Sequence, residues 1–467
     1  MATAWRQPST ETGWQVWFRE NIVVAERGGR TLIVGLGTTG RAVAEYLAQR
    51  RRPALVIDSR AAPPELAGFR SSCPDIPVVL ESLDPKWLAG VDELVLSPGL
   101  PVDTPIVEAA HERGIPVISD IELFARAAGV PVLAVTGSNG KSTVATLAAR
   151  ILAAQGVRAP AGGNLGPPAL ELLRDDEAQA HVLEVSSFQM ETTYSLRPLA
   201  AVVLNVSPDH LDRHGSLERY AELKAKLLRG AERAVYNRDD PLVREMGLRH
   251  PHGVPFSTRE QMADGYSVIV ADGVRWLARG LEPLMPAAEL PVPGRHGESN
   301  ALAALALTEV LGGAQEPALE ALRNFEGLPH RFAPVATIAG VVYVDDSKGT
   351  NVGATVAALE SLSGAAVLIA GGLGKGMDFA PLAQAARGRL RAAVLLGESA
   401  PVLAEVLGGI CPIARVDTMR AAVARAAELA AAGDTVLLSP ACASQDMFAD
   451  YRERGRAFGA AVRELAG

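Results

Sequence analysis

A glycine-rich segment at residues 137–143 has the residue types and spacing of a phosphate-binding loop. It reads Gly-Ser-Asn-Gly-Lys-Ser-Thr and is separated only by Val135 and Thr136 from the apolar run 130–134, which predicts a strand, a loop and then a helix. In such a loop backbone N–H groups converge on phosphate oxygens, Lys141 neutralises their charge and Ser142 holds Mg²⁺. The usual pattern has a glycine where this chain has Val135, which indicates a variant loop. ATP-driven chemistry is therefore the leading hypothesis, and a turn without a ligand is the alternative.

A carboxylate inside an apolar run is the second candidate for chemistry. Glu184 lies in the sequence Val-Leu-Glu-Val at 182–185, and burying an isolated carboxylate costs on the order of several kcal/mol. A divalent cation would offset this cost, because Mg²⁺ prefers carboxylates, waters and nucleotide phosphates as ligands. Glu184 and Ser142 together predict a magnesium site, and a strand-end glutamate facing water is the alternative.

A third group of polar side chains, at residues 205–213, follows a predicted strand. The segment reads Asn-Val-Ser-Pro-Asp-His-Leu-Asp-Arg, and ligand groups are expected just beyond such strand ends. His210 is a candidate ligand or base, although a single histidine is more often a structural hydrogen-bonding residue than a ligand. Asp209 and Asp212 can serve as helix caps. The spacing alone does not decide between these roles.

One lysine shares a helical stripe with apolar side chains. Leu217, Tyr220, Lys224 and Leu227 recur at helical intervals, whereas Lys226 points elsewhere. The stripe leaves two interpretations of Lys224: a stem that packs on the core while its amine reaches water, or a functional amine in a protected pocket.

The N-terminal region has the pattern of a nucleotide-binding βαβ unit. A β-branched run at 30–35 leads into the glycines of 35–40, a helical stretch at 41–50 and a strand at 54–57 that ends at Asp58. Asp58 lies near the ~20-residue offset at which a ribose hydroxyl is usually bound, so an NAD site is one alternative. A tight βα turn without a ligand is another, since the glycines satisfy its packing needs.

Composition and charge limit the class of protein. The chain has 467 residues, of which 48% are hydrophobic and 21% charged, and a formal net charge of −8. This length suggests three domains of ~150 residues, and the acidic balance disfavours nucleic acid as a partner. Three widely spaced cysteines support neither a disulfide framework nor a cysteine zinc cluster, so a reducing cytoplasm fits best. No run approaches the ~20 apolar residues of a membrane span, and residues 1–28 lack the pattern of an export signal.

Short apolar runs alternate with helical patterns along the chain, which predicts an α/β fold with mostly parallel sheets. Beyond those named above, strands are expected at 93–96, 117–119, 181–185, 200–206, 341–344, 365–370, 392–396 and 435–438. We expect a Rossmann-like N-terminal domain at 1–119, a central P-loop ATPase-type domain at 120–327 and a Rossmann-like C-terminal domain at 328–467.

Several motifs occur in the order typical of the Mur ligase family, which the chain resembles over all three expected domains. They are the segment 137–143, Glu184 with 186–189, the segment 209–213 and Pro-His-Arg-Phe at 329–332. The segments 345–351 and 439–444 resemble those of the members that add D-glutamate. The resemblance implies a monomeric, cytoplasmic, ATP-dependent ligase that joins D-glutamate to UDP-N-acetylmuramoyl-L-alanine through an acyl phosphate, in peptidoglycan precursor synthesis.

The resemblance also implies a role for each matching residue. The UDP part of the substrate would contact Thr38, Thr39, Ser59, Arg60, Ser97, Pro98 and Gly99, with Asn164 and His210 as further substrate contacts. ATP would contact Gly137, Ser138, Asn139, Gly140, Lys141, Ser142, Thr143, Asn300, Arg331, Asp346 and Lys348, where Asn300 begins a predicted helix at 300–311. D-Glutamate would be held by Lys348, Thr350, Ser444 and Tyr451.

For catalysis the resemblance implies Lys141, His210, Lys224 and Arg331. Two Mg²⁺ ions would be held by Ser142, Glu184, His210 and a Lys224 that has been carbamylated by CO₂.

Three positions depart from patterns common in the family. Leu373 replaces an acidic residue found in some relatives, while Gln445 and Tyr451 stand where Leu and Phe are common. Two other functions remain alternatives: a ligase similar to folylpolyglutamate synthetase with another acceptor, and a P-loop regulatory protein that binds nucleotide without ligation. An NAD site becomes a minor alternative.

Overall fold

The structure, a computed structural model, describes residues 29–465, which form two compact units. The first unit comprises the chain up to residue 128 with segments 166–176 and 188–196, and the second comprises 129–165, 177–187 and 197 onwards. The predicted absence of an export signal concerns residues 1–28, which lie outside the described residues.

The first unit contains a five-stranded, fully parallel sheet. Its strands, in spatial order, are Val78–Val79, Ala54–Ile57, Arg30–Val34, Val91–Leu96 and Val117–Ile118. Its helices are Thr38–Gln49, Leu66–Ser72, Pro105–Glu112, Asp120–Ala127 and Ala169–Leu172, with a 3₁₀ turn at Pro85–Leu88. The three central strands are almost continuously buried, as expected for a parallel sheet covered on both faces.

The second unit contains a nine-stranded sheet around the phosphate loop. Its strands, in spatial order, are Glu282–Pro286, Val274–Arg279, Tyr266–Ala271, Gly253–Ser257, Arg233–Asn237, Ala200–Val203, Val132–Thr136, His181–Glu184 and Ala161–Gly163. The first three strands of this order pair in an antiparallel manner and the rest are parallel. The strand before the phosphate loop therefore lies between the strand that carries Glu184 and the strand that leads to His210.

The helices that follow these strands are Lys141–Ala154, Leu211–His214, Leu217–Gly230, Pro241–Leu248, Arg295–Thr308 and Gln315–Arg323, with 3₁₀ turns at Ala287–Glu289 and Glu309–Leu311. Of these, Lys141–Ala154, Arg295–Thr308 and Gln315–Arg323 contribute side chains to one apolar core. A short helix also spans Ser187–Glu191. The fully buried side chains Val144, Ile151 and Leu302 pack the phosphate-loop helix against the helix Arg295–Thr308.

The second unit also contains a six-stranded sheet, which is parallel except at one edge. Its strands, in spatial order, are Ala333–Ile338, Val341–Asp345, Thr435–Leu438, Ala366–Gly371, Leu390–Leu396 and Ile413–Arg415. Its helices are Val352–Glu360, Ala380–Ala386, Ala400–Leu407, Met419–Leu429 and Tyr451–Leu465. The three sheets confirm the predicted α/β class with mostly parallel strands.

One predicted helix begins in a different place. The sequence predicts a helix at 300–311, but the helix runs from Arg295 to Thr308, so Asn300 lies in its second turn. The start at Arg295 was not predicted because Gly297 lies in the first turn and glycine has a low helix propensity. A Cβ atom at Gly297 would lie 2.1 Å from the Val292 carbonyl oxygen, so close backbone packing requires glycine there.

Among residues 29–465, no helix combines the length and the apolar composition needed to cross a membrane.

Candidate active site

The phosphate loop is shaped by two glycines with positive φ angles. Gly137 has φ +152° and Gly140 has φ +86°, conformations that L-residues with side chains rarely adopt. A Cβ atom at Gly140 would lie 2.7 Å from the Asn300 Oδ1 atom, so the helix Arg295–Thr308 approaches the loop closely. The helix Lys141–Ala154 begins without a side-chain cap, which leaves its first N–H groups for an anion.

Lys141 folds back over the loop from which it extends. Its Nζ atom donates hydrogen bonds of 2.9 Å to the carbonyl oxygens of Gly137 and Ser138. Burial lowers the pKa of Lys141, and Glu184 and Asp209 partly oppose this effect. The cation is therefore held in the loop by carbonyl dipoles, where a phosphate group would bind it more strongly.

A hydrogen-bonded cluster joins residues that are far apart in the sequence. The hydroxyl of Ser142 donates to Glu184 Oε2 at 2.5 Å, and the amide of Asn164 donates to Glu184 Oε1 at 2.5 Å. Arg331 donates to the Ser142 Oγ atom at 2.8 Å. Glu184 is only 1% exposed, so the alternative of a glutamate facing water is wrong.

Lys224 is buried on the predicted apolar stripe. It is 1% exposed, its Nζ atom donates to the Gly137 carbonyl at 2.9 Å, and the same atom lies 4.2 Å from the centroid of the Tyr220 ring. Burial, reinforced by the nearby charge of Lys141, lowers the pKa of Lys224 far below that of a free lysine. The interpretation in which the amine of Lys224 reaches water is therefore wrong, while a functional role of the buried amine stays a prediction.

His210 stands at the entrance to the short helix Leu211–His214. Its backbone has φ +54°, and its Nε2 atom lies 3.7 Å from the Asp209 carboxylate. Burial lowers the pKa of His210, Asp209 opposes this, and the charges of Lys141 and Lys375 lower it further. At neutral pH the imidazole is therefore mainly uncharged and able to accept a proton.

The segment after the strand Val341–Asp345 carries three of the predicted residues. Asp346 accepts hydrogen bonds from the Phe332 N–H at 3.2 Å and the Ser439 hydroxyl at 2.7 Å, and burial raises its pKa to about 7. The Lys348 Nζ atom lies 4.3 Å from the centroid of the Tyr451 ring. Burial, followed by the charges of Arg331 and Lys141, lowers the pKa of Lys348 to about 8. Lys348 and the phosphate-loop lysine thus influence each other.

The sequence motifs do not single out Arg454, which fixes the two loops that carry Lys348 and Ser444. Arg454 is 2% exposed, and its guanidinium donates to the Ser347 hydroxyl at 3.0 Å and the Ser347 carbonyl at 2.8 Å. It also donates to the carbonyls of Cys442 at 3.1 Å and Ala443 at 3.3 Å. Its position in the helix Tyr451–Leu465 gives no sequence signal, because these partners come from distant loops.

Replacing Arg454 by alanine is expected to lower the free energy of unfolding by about 3–5 kcal/mol, because buried carbonyl groups lose their donors. Urea unfolding measures this change. The neighbouring Arg452 is 59% exposed, so Arg452→Ala is the matched control and should cost less than about 1 kcal/mol. Equal effects of the two substitutions would show that Arg454 does not hold the loops.

Lys375, which also lies outside the predicted site residues, adds a cation near His210. It follows the strand Ala366–Gly371 in a glycine-rich loop, with φ +48°, and its charge contributes to the lowered pKa of His210. The glycines on either side of Lys375 were the sequence feature that could have identified it as a candidate.

A small apolar pocket lies beside the phosphate-loop helix. Its lining includes Thr143, Leu147, Pro291, Asn300, Ala301 and Phe325. Only Thr143 and Asn300 belong to the predicted set, because apolar lining residues cannot be distinguished from core residues in a sequence.

His296, near the start of the helix that carries Asn300, connects this helix to the helix Val352–Glu360. Its Nδ1 atom lies 2.6 Å from the Ser361 hydroxyl, which itself donates to the Ala357 carbonyl. Nδ1 is therefore the donor, and the buried Nε2 atom has no hydrogen-bond partner among the described residues. Burial lowers the pKa of His296 to about 4.

We expect stability to fall as the pH drops from about 6.5 to about 4, because the unfolded chain then binds a proton at His296 that the folded chain excludes. Above the unfolded pKa the histidine is neutral in both states, so pH does not change its contribution to stability there. The loss of stability is confined to the range between the two pKa values. His296→Gln removes this titration, so its unfolding free energy should depend less on pH within the window. Urea unfolding at several pH values tests this, and identical pH slopes for both proteins would contradict it.

In the first unit, the residues predicted to contact UDP surround the turn after the strand Arg30–Val34. The Ser97 hydroxyl donates to the Gly35 carbonyl at 2.9 Å, and Arg60 forms two side-chain hydrogen bonds with Asp58 at 2.9 and 2.7 Å. Asp58 also accepts from the N–H groups of Leu36 and Arg60. These four bonds use all lone pairs of the carboxylate, so in this arrangement Asp58 has no lone pair left for a ribose hydroxyl.

The remaining predicted residues lie on the same loops. Thr38 and Thr39 open the helix Thr38–Gln49, Ser59 follows Asp58, and Pro98 and Gly99 follow Ser97. In the second unit, Thr350 precedes the helix cap Asn351, and Ser444 is buried after the strand Thr435–Leu438.

Comparison with known proteins matches three segments to three domains of one family. Residues 29–119 match the MurD-like N-terminal domain of Mur ligases, 135–308 the Mur ligase middle domain and 330–442 the Mur ligase glutamate ligase domain.

Two curated relatives are similar over nearly the whole chain. The UDP-N-acetylmuramoylalanine–D-glutamate ligase of Nitrosococcus oceani is 48% identical over 437 residues, which cover 93% of this chain and 96% of the relative. The enzyme of the same name from Methylococcus capsulatus is 47% identical, with coverages of 94% and 95%.

Among solved structures, the UDP-N-acetylmuramate–alanine ligase of Thermotoga maritima has the same fold. Its TM-score is 0.60 at 19% identity, over 94% of this chain and 100% of that one. The three domain matches and the similarity to full-length relatives establish that the chain belongs to the Mur ligase family.

Proposed function

We propose that this chain is an ATP-dependent ligase that joins D-glutamate to UDP-N-acetylmuramoyl-L-alanine during peptidoglycan precursor synthesis. The names of the relatives from Nitrosococcus oceani and Methylococcus capsulatus support this substrate pair. The structural observation that carries the proposal is the cluster of Ser142, Glu184 and Arg331, in which side chains associated with two different sheets meet at the phosphate loop.

In the first step, the carboxylate of the acceptor attacks the γ-phosphate of ATP, so that a C–O–P bond forms and the bond to ADP breaks. The product is an acyl phosphate, which is a far better acylating group than a carboxylate. Lys141 and Arg331 lie at the loop, and their role is to neutralise charge on the transferring phosphoryl group.

Ser142 and Glu184 fit a magnesium ion, because a hydroxyl and a buried carboxylate lie together beside the phosphate loop. When bound, Mg²⁺ neutralises the charge of the nucleotide phosphates. The described residues contain no group of three or more His, Cys, Asp or Glu side chains suited to a metal. This agrees with an ion that takes phosphates and waters as most of its ligands.

In the second step, the neutral amine of D-glutamate attacks the acyl carbon, a C–N bond forms and inorganic phosphate leaves. The amine loses a proton in this step. His210 is proposed to accept it, since a lowered pKa keeps the imidazole uncharged. Lys348 and Lys375 supply positive charge for the carboxylates of the amino acid, and Thr350, Ser444 and Tyr451 complete its site.

We further propose that Lys224 reacts with CO₂ to form a carbamate and release a proton. The reaction requires a neutral amine, and burial of Lys224 favours that form. The carbamate would then provide oxygen ligands for a second Mg²⁺. A His210 that coordinates this ion cannot also accept the amine proton, so metal binding is the alternative to its role as a base.

The proposal assigns the UDP part of the substrate to the domain at 1–119, ATP to 120–327 and D-glutamate to 328–467. The enzyme is also proposed to be monomeric and cytoplasmic. The cysteines are free, and burial raises the thiol pKa of Cys73 and Cys411 and raises that of Cys442 to about 12, in keeping with a reducing compartment.

A substrate panel tests the proposed function. The purified chain receives ATP, Mg²⁺, one of several UDP-muramoyl acceptors or a pterin acceptor, and one of several amino acids, and mass spectrometry identifies the products. We expect an amide only from UDP-N-acetylmuramoyl-L-alanine with D-glutamate. Nucleotide binding without any amide would favour a regulatory protein, and use of the pterin would favour a folate-type ligase.

An isotope experiment tests the acyl phosphate separately. When the acceptor carboxylate carries ¹⁸O, one labelled oxygen should appear in the released phosphate, because the carboxylate oxygen that attacks phosphorus leaves with it. Unlabelled phosphate would contradict the proposed first step.

A further inference from the structure

Asn351 is a buried asparagine whose amide contacts two segments of the proposed ATP-binding domain. It is 2% exposed and lies at the end of the segment that carries Lys348 and Thr350. Its Nδ2 atom donates to the side-chain oxygen of Asn139 at 3.1 Å and to Asp209 Oδ2 at 3.0 Å. In return, the Asn139 amide donates to the Asn351 Oδ1 atom at 3.1 Å.

The same side chain also caps a helix. The Asn351 Oδ1 atom accepts the Ala354 N–H at 2.9 Å, as the N-cap of the helix Val352–Glu360. The Asn351 amide group thus donates hydrogen bonds to Asn139 of the phosphate loop and to Asp209, the residue before His210. Its oxygen accepts from Asn139 and from a helix that packs on the six-stranded sheet. Aspartate would keep the cap but would lose both donors and repel Asp209.

A close contact lies directly beside this amide. A Cβ atom at Gly353 would lie 2.7 Å from the Ser207 Oγ atom and 2.9 Å from the Ser207 Cβ atom. Ser207 is tied to the phosphate loop, because its N–H donates to the Ser138 hydroxyl at 3.0 Å and its carbonyl accepts from the same hydroxyl at 3.1 Å. The helix Val352–Glu360 can approach the phosphate loop this closely only with glycine at 353.

We propose that Asn351 is a positioning residue that couples the amino-acid-binding segment to the phosphate loop through its bonds to Asn139 and Asp209. This inference rests on the ligase activity proposed above. When Asn351 bridges the two segments, Lys348 and Thr350 are held in a fixed position relative to the bound phosphates. Without the bridge, the acyl phosphate and the incoming amine lose their alignment, and a displacement of ~1 Å can reduce a rate by about a hundredfold.

The first test is a double-mutant cycle on amide formation with Asn139→Ala, Asn351→Ser and the double variant. Serine keeps the helix cap but cannot reach Asn139 or Asp209. We expect Asn351→Ser to lower kcat about tenfold or more while the KM for ATP changes less than about threefold. The kcat of the double variant should lie within about threefold of the kcat of the less active single variant, because both single substitutions remove the same hydrogen bonds.

The second test uses the close contact, with a rescue. Gly353→Ala suits the helix itself, since alanine is the better helix former, but it pushes the helix away from Ser207. We expect kcat to fall about tenfold or more, and Ser207→Gly in the same chain to restore most of the loss. Asn324→Ser is the matched control, because the Asn324 amide donates to Glu320 of the helix that it caps and its substitution should leave kcat unchanged.

Three outcomes would overturn the inference. If the loss of kcat in the double variant equals the product of the two single losses, Asn139 and Asn351 act independently. Full activity of Gly353→Ala would show that the close contact has no role, and so would failure of Ser207→Gly to restore activity. If the wild-type chain forms amide at the same time, the proposed function still stands. A wild-type chain that forms no amide overturns the proposed function and this inference with it.

Discussion

Replacing Lys141 by alanine is expected to reduce kcat for amide formation by about a thousandfold, because a cation aimed at the transferring phosphoryl group is lost. The effect should fall mainly on kcat, since the glycine-rich backbone and the helix N-terminus still bind the nucleotide phosphates. Steady-state kinetics with UDP-N-acetylmuramoyl-L-alanine and D-glutamate measure both constants.

The same substitution should leave the fold intact. The ammonium of Lys141 is buried against two carbonyl oxygens, and its lowered pKa shows that burial disfavours its charge. Its removal in the absence of nucleotide is therefore expected to change the unfolding free energy by less than about 1 kcal/mol. Lys86→Ala, at a lysine that is 64% exposed, is the control for loss of a positive charge. Unchanged activity of Lys141→Ala would remove the phosphate loop from the mechanism.

Replacing Lys224 by methionine is expected to lower kcat by about a hundredfold or more, because the proposed carbamate and the metal ligand it supplies cannot form. Methionine has a similar length and packs well in a buried site. Lys226→Met is the matched control, since Lys226 lies two residues away on the same helix but outside the apolar stripe.

Activity and stability should change in opposite directions in Lys224→Met. In CO₂-free buffer, where the proposed carbamate is absent, the folded chain holds the free amine of Lys224 with a strongly lowered pKa, so the unfolded state binds more protons at this lysine than the folded state does. A lysine with a depressed pKa costs stability below its unfolded pKa, and methionine removes that cost. The Gly137 carbonyl keeps a donor in Lys141, so no acceptor is left unsatisfied. We expect an unfolding free energy raised by about 1–3 kcal/mol.

The carbamate has a direct spectroscopic test. In ¹³CO₂-enriched buffer the wild-type chain should show a carbamate carbon resonance that Lys224→Met lacks, and removal of CO₂ should lower the activity of the wild type alone. A wild-type chain that is equally active without CO₂ and shows no such resonance would contradict carbamylation.

Much of the fold follows from local patterns in the sequence. The buried parallel strands, such as Ala54–Ile57 and Ala366–Gly371, are apolar runs bounded by polar residues and glycines, so hydrophobicity alone predicts them. The antiparallel strands at one end of the nine-stranded sheet were not predicted. Tyr266–Ala271, Val274–Arg279 and Glu282–Pro286 contain exposed as well as buried positions, so they lack a continuous apolar run.

The candidate site likewise contains residues that local sequence patterns predict and residues that they do not. The phosphate loop and Glu184 are contiguous motifs whose chemistry can be read from residue types, and Lys224 is identified by helical spacing. Arg454 and Asn351 were not identified as functional candidates, because their importance comes from partners that are distant in the sequence. The lining of the apolar pocket was missed because its residue types match those of a core.

The sequence by itself determined the α/β class and the phosphate loop, because each depends on local propensity, glycine conformations or the periodicity of apolar residues. Only the tertiary structure decided that Arg331 reaches Ser142, that Asp58 is fully occupied by Leu36 and Arg60, and that Asn351 bridges Asn139 and Asp209. These contacts join segments up to 212 residues apart. Their geometry depends on how sheets and helices pack, which no local pattern encodes.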